Sequence, residues 1–114
     1  MGTGFSGLRS VVEHQKKFLR GGIRGLSPAH FPNTVYNASA GLAAIELGVA
    51  GPNSTVTGVD VSGEHAVLYG AMMLRQGMAE RVLVVGVDEI SQALAEGFAD
   101  LGLLDEGDTP YAPT

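Results

Sequence analysis

A chain of 114 residues with 45% hydrophobic side chains holds enough apolar material for one modest core and excludes a second full domain. A formal net charge of −5, with the few Lys and Arg scattered or gathered at one helix end, excludes nucleic acid as the principal partner. The absence of cysteine removes disulfides, Cys-ligated metals and thiolate catalysis, and no run approaches the roughly 20 apolar residues of a membrane helix, so a cytoplasmic protein is expected.

Seventeen Gly beside four Phe, three Tyr and no Trp describe a backbone packed through small residues, which suits layered α/β architecture. Residues 1–5 are too short to stand as a strand. Ser6 is placed to cap an amphipathic helix reaching about Arg20, with Leu8, Val11, Val12, Phe18 and Leu19 at helical spacing and Lys16, Lys17 and Arg20 ahead of Gly21 and Gly22. Residues 22–32 read as a loop punctuated by Gly25, Pro28 and Pro32. From about Thr34 to Leu47 the small residues predict a closely packed helix, and Gly51-Pro52 forces a turn.

Residues 54–59 are β-prone, and residues 62–76 form a helix apolar nearly all round, with Gly63, Ala66 and Gly70 close to one face. Such a helix is expected to lie between layers. Asp60 then occupies the elbow between strand and helix, where unpaired N–H groups and the macrodipole favour negative charge, and where a catalytic version would carry Cys or Ser. The β-branched run 81–87, RVLVVGV, predicts a central parallel strand, and residues 91–100 resume a helix. The tail from Gly102 contains Pro110 and Pro113 and closes with no element. Two strands are too few for a complete sheet sandwich, so the chain reads as a piece of something larger.

Gly2-Thr3-Gly4-Phe5-Ser6-Gly7 matches a dinucleotide fingerprint but lacks the preceding strand and the acidic residue about 20 positions on that ribose binding needs, so no cofactor is expected. Gly58-Val59-Asp60-Val61-Ser62 fits the elbow of an Asp-nucleophile α/β-hydrolase. That chemistry wants a distant His base, and His65, the one His after the elbow and five residues along in the same helix, is expected not to swing back to serve. The plain alternative makes Asp60 a helix N-cap. His14, His30 and His65 lie far apart with no metal-ligand spacing, so no metal is expected. Lys16, Lys17, Arg20 and Arg24 read as a solvated helix end, and Asp88-Glu89 as helix-start acids.

The series FPNTVYNASAG, LGVAGPNSTVTGVDVSGEHAV and GMAERVLVVGVDEIS resembles the N-terminal half of β-ketoacyl-acyl-carrier-protein synthases of the elongating type, which have the thiolase fold. In that family FPxTxxN opens a small-residue helix and GP precedes the nucleophile strand. Cys with a following Ser-Gly or Ser-Ser then begins a buried helix, and a G-x-A-(D/E) turn leads to a strand ending near an acid. The resemblance implies that residues 1–114 are a partial synthase N-terminal domain, an incomplete thiolase-like α/β half with a buried central helix.

Alignment on GPN and SGEH puts the family's acyl-accepting Cys on Asp60. The resemblance further implies fatty-acid or polyketide biosynthesis, with the catalytic His residues and Lys of the family belonging to a C-terminal half. The chain alone is therefore expected not to condense acyl chains. In chain-length-factor subunits the same position also lacks Cys, so a non-catalytic partner or interaction module is the alternative. A homodimer, or a heterodimer with a synthase-like subunit, is expected, with acyl carrier protein as a further partner. Two strands with open edges and an all-apolar helix point to association independently of the family.

Overall fold

The computed structural model describes residues 1–104, so the Pro110 and Pro113 tail lies outside the described residues. Gly2 is the hub. It forms a parallel bridge to Val56 on one side and to Gly86 on the other. Its N–H donates to the Val85 carbonyl at 2.8 Å and its carbonyl accepts from Val87 N–H at 3.1 Å. On the other side Thr3 N–H donates to Val56 O at 3.1 Å, and Val56 N–H donates to Met1 O at 2.8 Å. The order across the layer is therefore 54–57, 1–4, 85–87. Residues 1–5 form no strand of their own, yet they are the middle of the layer: Gly2 pairs with one β-prone run through its own donor and acceptor, while Met1 O and Thr3 N–H pair with the other. Each run pairs through a single bridge and not a long ladder.

The hub residue has to be glycine. A Cβ on Gly2 would fall 2.1 Å from the Ser62 carbonyl oxygen, so the following helix presses directly on this backbone. That helix, the third in the chain, spans Ser62–Arg75. The others are α1 (Leu8–Gly21), α2 (Ala38–Glu46) and α4 (Gln92–Asp100), with Ser62–Arg75 being α3.

Several boundaries differ from expectation for local reasons. Ser6 does not cap α1; the cap residue is Gly7, in the left-handed region at φ 76°, and Ser6 N–H donates to Thr3 Oγ1 at 3.0 Å. Gly7 is held there by the chain beneath it, since a Cβ would meet the Asn33 carbonyl oxygen at 3.0 Å. Residues 22–32 are not an open loop but lie in two 3₁₀ turns, Gly22–Gly25 and Pro28–Thr34. Pro28 opens the second turn and the Thr34 hydroxyl closes it on Phe31 O at 2.7 Å, which delays α2 to Ala38. Ser91 caps α4 by accepting from Leu94 N–H at 3.3 Å.

α3 lies on the layer through Ser62, Ala66, Gly70 and Met73, the i, i+4, i+8 and i+11 stripe of one helix face. A Cβ on Gly70 would come within 2.8 Å of a Val84 methyl, so small residues set this approach. Gly63 stands beside the stripe and is only partly covered. The opposite side of α3 is open, with Val67 59% and Leu68 60% exposed, so the chain itself supplies one of the two layers that this helix is composed to meet. α4 docks from the other end, burying Leu94 and setting Phe98 edge-on to Phe5 at 5.7 Å. The result is a slab of 49 × 43 × 20 Å whose radius of gyration, 17.1 Å, exceeds the ~13 Å of a closed domain of this size.

Candidate functional site

The elbow is a short 3₁₀ turn, Val59–Val61, running straight into α3. Gly58 N–H donates to Ser62 Oγ at 2.9 Å, the Ser62 hydroxyl donates to Val59 O at 2.7 Å, and Val61 N–H reaches Gly58 O at 3.2 Å. Ser62 thus clamps the turn from the helix side. Within it Val59 has φ 51°, the one non-glycine residue with positive φ among those described. A β-branched side chain in the left-handed region is a true outlier and costs about 1–3 kcal/mol unless its surroundings over-determine it.

Asp60 follows this strained residue and is exposed at the tip of the turn. It is not the N-cap of α3: that position is Val61, and no side chain caps the helix. The carboxylate also forms no ion pair among the described residues. What remains to it is the favourable end of the helix dipole. His65 is nearer than its sequence position implies. Its imidazole folds back over Gly58, with Nδ1 2.9 Å from where a Cβ on that glycine would stand, so a bulkier residue 58 would displace it.

Asp88 is not a helix-start acid. Its Oδ1 accepts from the buried Thr3 hydroxyl at 2.5 Å and from Phe5 N–H at 2.8 Å, and its Oδ2 accepts from Gly4 N–H at 2.8 Å. Partial removal from water pushes this carboxyl up, and the bonds from Thr3, Gly4 and Phe5 outweigh that and hold it below the ordinary Asp value. Two amides of the GTGFSG loop, those of Gly4 and Phe5, are therefore turned onto the chain's own carboxylate. Glu89 departs from the expected role as well, pairing at the surface with Arg9 at 3.1 Å, which also meets Glu13 at 3.4 Å. Such exposed pairs contribute little.

His14 and His30, distant in sequence, meet across one small crevice of about 20 Å³ with Glu13 and Lys17, and the His14 ring stands 6.3 Å from that of Phe31. The described residues contain no group of three or more metal-ligating side chains. Lys16, Lys17, Arg20 and Arg24 are all exposed around the end of α1. No helix among the described residues is long and apolar enough to cross a membrane. A larger apolar cavity of about 260 Å³ opens between α2 and α3, walled by Ala43, Leu47, Tyr69, Met73 and Val84. The sequence singles out Asp60 and points Asp88 to the wrong partner, a helix start, and it gives no sign of the cavity, because neither the carboxylate's loop partners nor the gap between two helices leaves a periodic mark.

The chain is similar to known proteins over most of its length. The family described as beta-ketoacyl synthase, N-terminal domain, matches residues 1–112. The 3-oxoacyl-[acyl-carrier-protein] synthase 2 of Vibrio cholerae is 29% identical over 102 residues, covering 90% of this chain and 24% of the relative. The synthase 2 of Vibrio harveyi is 30% identical over the same coverage. The chain thus spans about a quarter of the length of the curated relatives it matches. Among solved structures, the ishigamide ketosynthase/chain length factor superposes with a TM-score of 0.75 at 28% identity, covering 94% of this chain and 30% of that one. The fold is the thiolase-like α/β fold, present as part of its N-terminal half, and the chain belongs to the β-ketoacyl synthase family through its N-terminal domain.

Proposed function

We propose that residues 1–114 are a partial β-ketoacyl synthase N-terminal domain serving fatty-acid or polyketide assembly, in which Asp60 stands where the family's nucleophilic Cys would be and which does not condense acyl chains by itself. The observation that carries this is the elbow: its backbone is built, its tip is exposed, and its side chain is a carboxylate in a chain with no thiol. Condensation needs a thiolate to displace the carrier thiol from an acyl thioester and hold the acyl group, and N–H donors to stabilise the oxyanion formed on the way. An ionised Asp60 puts negative charge where that oxyanion develops, which opposes the step.

The test is incubation with acyl-CoA and acyl-carrier thioesters followed by intact-mass measurement. No covalent adduct is expected. A stable acyl group on Asp60 would overturn this reading and favour an Asp-nucleophile enzyme.

A second reading, a chain-length-factor-like partner or interaction module, is favoured by the likeness to a ketosynthase/chain length factor and by the open side of α3. In it the exposed apolar face is covered by a second copy or by a synthase-like subunit, with an acyl carrier protein visiting the assembly in the cytoplasm. Sedimentation at micromolar concentration, with native mass spectrometry of what co-purifies, separates the two. A monodisperse monomer that melts cooperatively would sink the partner reading.

A further inference from the structure

We propose that Asp88 is the positioning residue of the elbow: by gathering Thr3, Gly4 and Phe5 it sets the Gly4 backbone against Val59 and thereby holds Val59 in the left-handed conformation that presents position 60. Asp88 touches neither Val59 nor Asp60 in this scheme and acts only through Gly4.

Three observations meet here. Val59 is strained at φ 51°, and such a conformation persists only where its surroundings impose it. Gly4 is what lies against it: a Cβ on Gly4 would stand 2.9 Å from Val59 O and 3.1 Å from Val59 Cα, so the two backbones are in direct contact with no room for a side chain. Gly4 in turn is fixed by the carboxylate, its N–H bonded to Oδ2 at 2.8 Å and to Oδ1 at 3.1 Å, with Phe5 N–H and the Thr3 hydroxyl on Oδ1. The parallel bridges do not do this. The bridges are made at Gly2 and backbone pairing ends at Thr3, so past that point the bonds of Gly4 and Phe5 to the Asp88 carboxylate direct the course of the chain along the elbow. Ser62 braces the turn from the opposite side, closing Gly58 and the Val59 carbonyl. Val59 is thus gripped between a helix hydroxyl and a carboxylate-held glycine. This role does not depend on what chemistry position 60 serves.

Nuclear magnetic resonance on the full chain reads the effect directly. In the left-handed region a residue's own HN and Hα are close together, so Val59 should give a strong intraresidue HN–Hα cross-peak in the unsubstituted protein. In Asp88→Ala that peak is expected to fall to the level of neighbouring residues, with the Asp60 and Val61 amides shifting and those of α1 near Arg20 unmoved. Val59→Gly supplies an independent arm: it should raise the denaturation midpoint in the parent by relieving strain, and fail to raise it in Asp88→Ala, where the strain is already released. An undiminished Val59 cross-peak in folded Asp88→Ala, or an equal Val59→Gly gain in both backgrounds, would overturn the proposal. Should Asp88→Ala not fold, Asp88→Asn carries the same reading, since it can keep an acceptor for Phe5 while setting an amide NH₂ against Gly4 N–H. The Val59 peak should weaken there too, and an unchanged peak counts against the role.

Discussion

The hub around Gly2 and the arm from α1 to Thr34 are held in different ways. At the hub, residues 1–5 bond to residues 54–56 and 85–88, and the contacts join parts of the chain more than 50 positions apart, as in the Met1 amine donating to Ser54 O with a separation of 53. Along the arm, α1 buries no residue, and Leu19 and Ile23 are 82% and 81% exposed although α1 is amphipathic. Its packing is mostly against the 3₁₀ turns that follow it. The difference shows that an apolar stripe specifies a face to be covered, while the backbone pairing at the hub specifies which segments meet.

The largest way to break the contrast is at glycine. Gly2→Ala should cost about 3 kcal/mol or more, because the new Cβ collides with helix backbone and not with a side chain that can turn away. Urea denaturation measures it, and a loss under ~1 kcal/mol would mean that α3 does not press on the hub. Acid should come next. Asp88 is held below its unfolded value, so its contribution is fully present above about pH 4, the ordinary range of a free Asp, and is lost as pH falls through the lower folded value. Midpoints followed from pH 7 to pH 2 should decline over that window, and less so in Asp88→Asn.

Ser91→Ala, which removes the cap where α4 meets the hub, should cost about 1 kcal/mol by the same measurement. Smallest, and of opposite sign, is Gly21→Ala on the arm. No atom lies within 4 Å of the added methyl and φ is −128°, so restricting the unfolded chain should stabilise by about 0.4–1 kcal/mol. A clear loss there would show that the arm's end is covered by something in solution.

α1, α3 and α4 are legible in the sequence because helical periodicity is a local signal, and the elbow is legible because a β-prone run, Gly58 and an apolar helix follow one another. The central place of residues 1–4 is not. Gly2 carries no side chain to form a pattern, and its pairing depends on segments that arrive much later in the chain. Asp88 was misjudged for a related reason: an acid shortly before a helix is usually read against that helix, while here Thr3, Gly4 and Phe5 offer four hydrogen bonds from 83 to 85 positions away. The start of α2 is not legible in the sequence, because Pro28 and Pro32 mark loops as readily as the 3₁₀ turn they hold here. Asp60 lies in the turn between the β-prone run and α3, and the alternative that it caps the helix fails because the turn carries it one residue ahead of the Val61 cap position.

The clamp on either side of Val59 has a consequence for inheritance. Ser62 and Gly4 grip the backbone and leave the side chain of residue 60 untouched, so the frame and its contents are separable. A lineage can exchange the residue at the tip without rebuilding the scaffold that displays it. Reactive and unreactive versions of such a turn can therefore diverge without the fold recording the change.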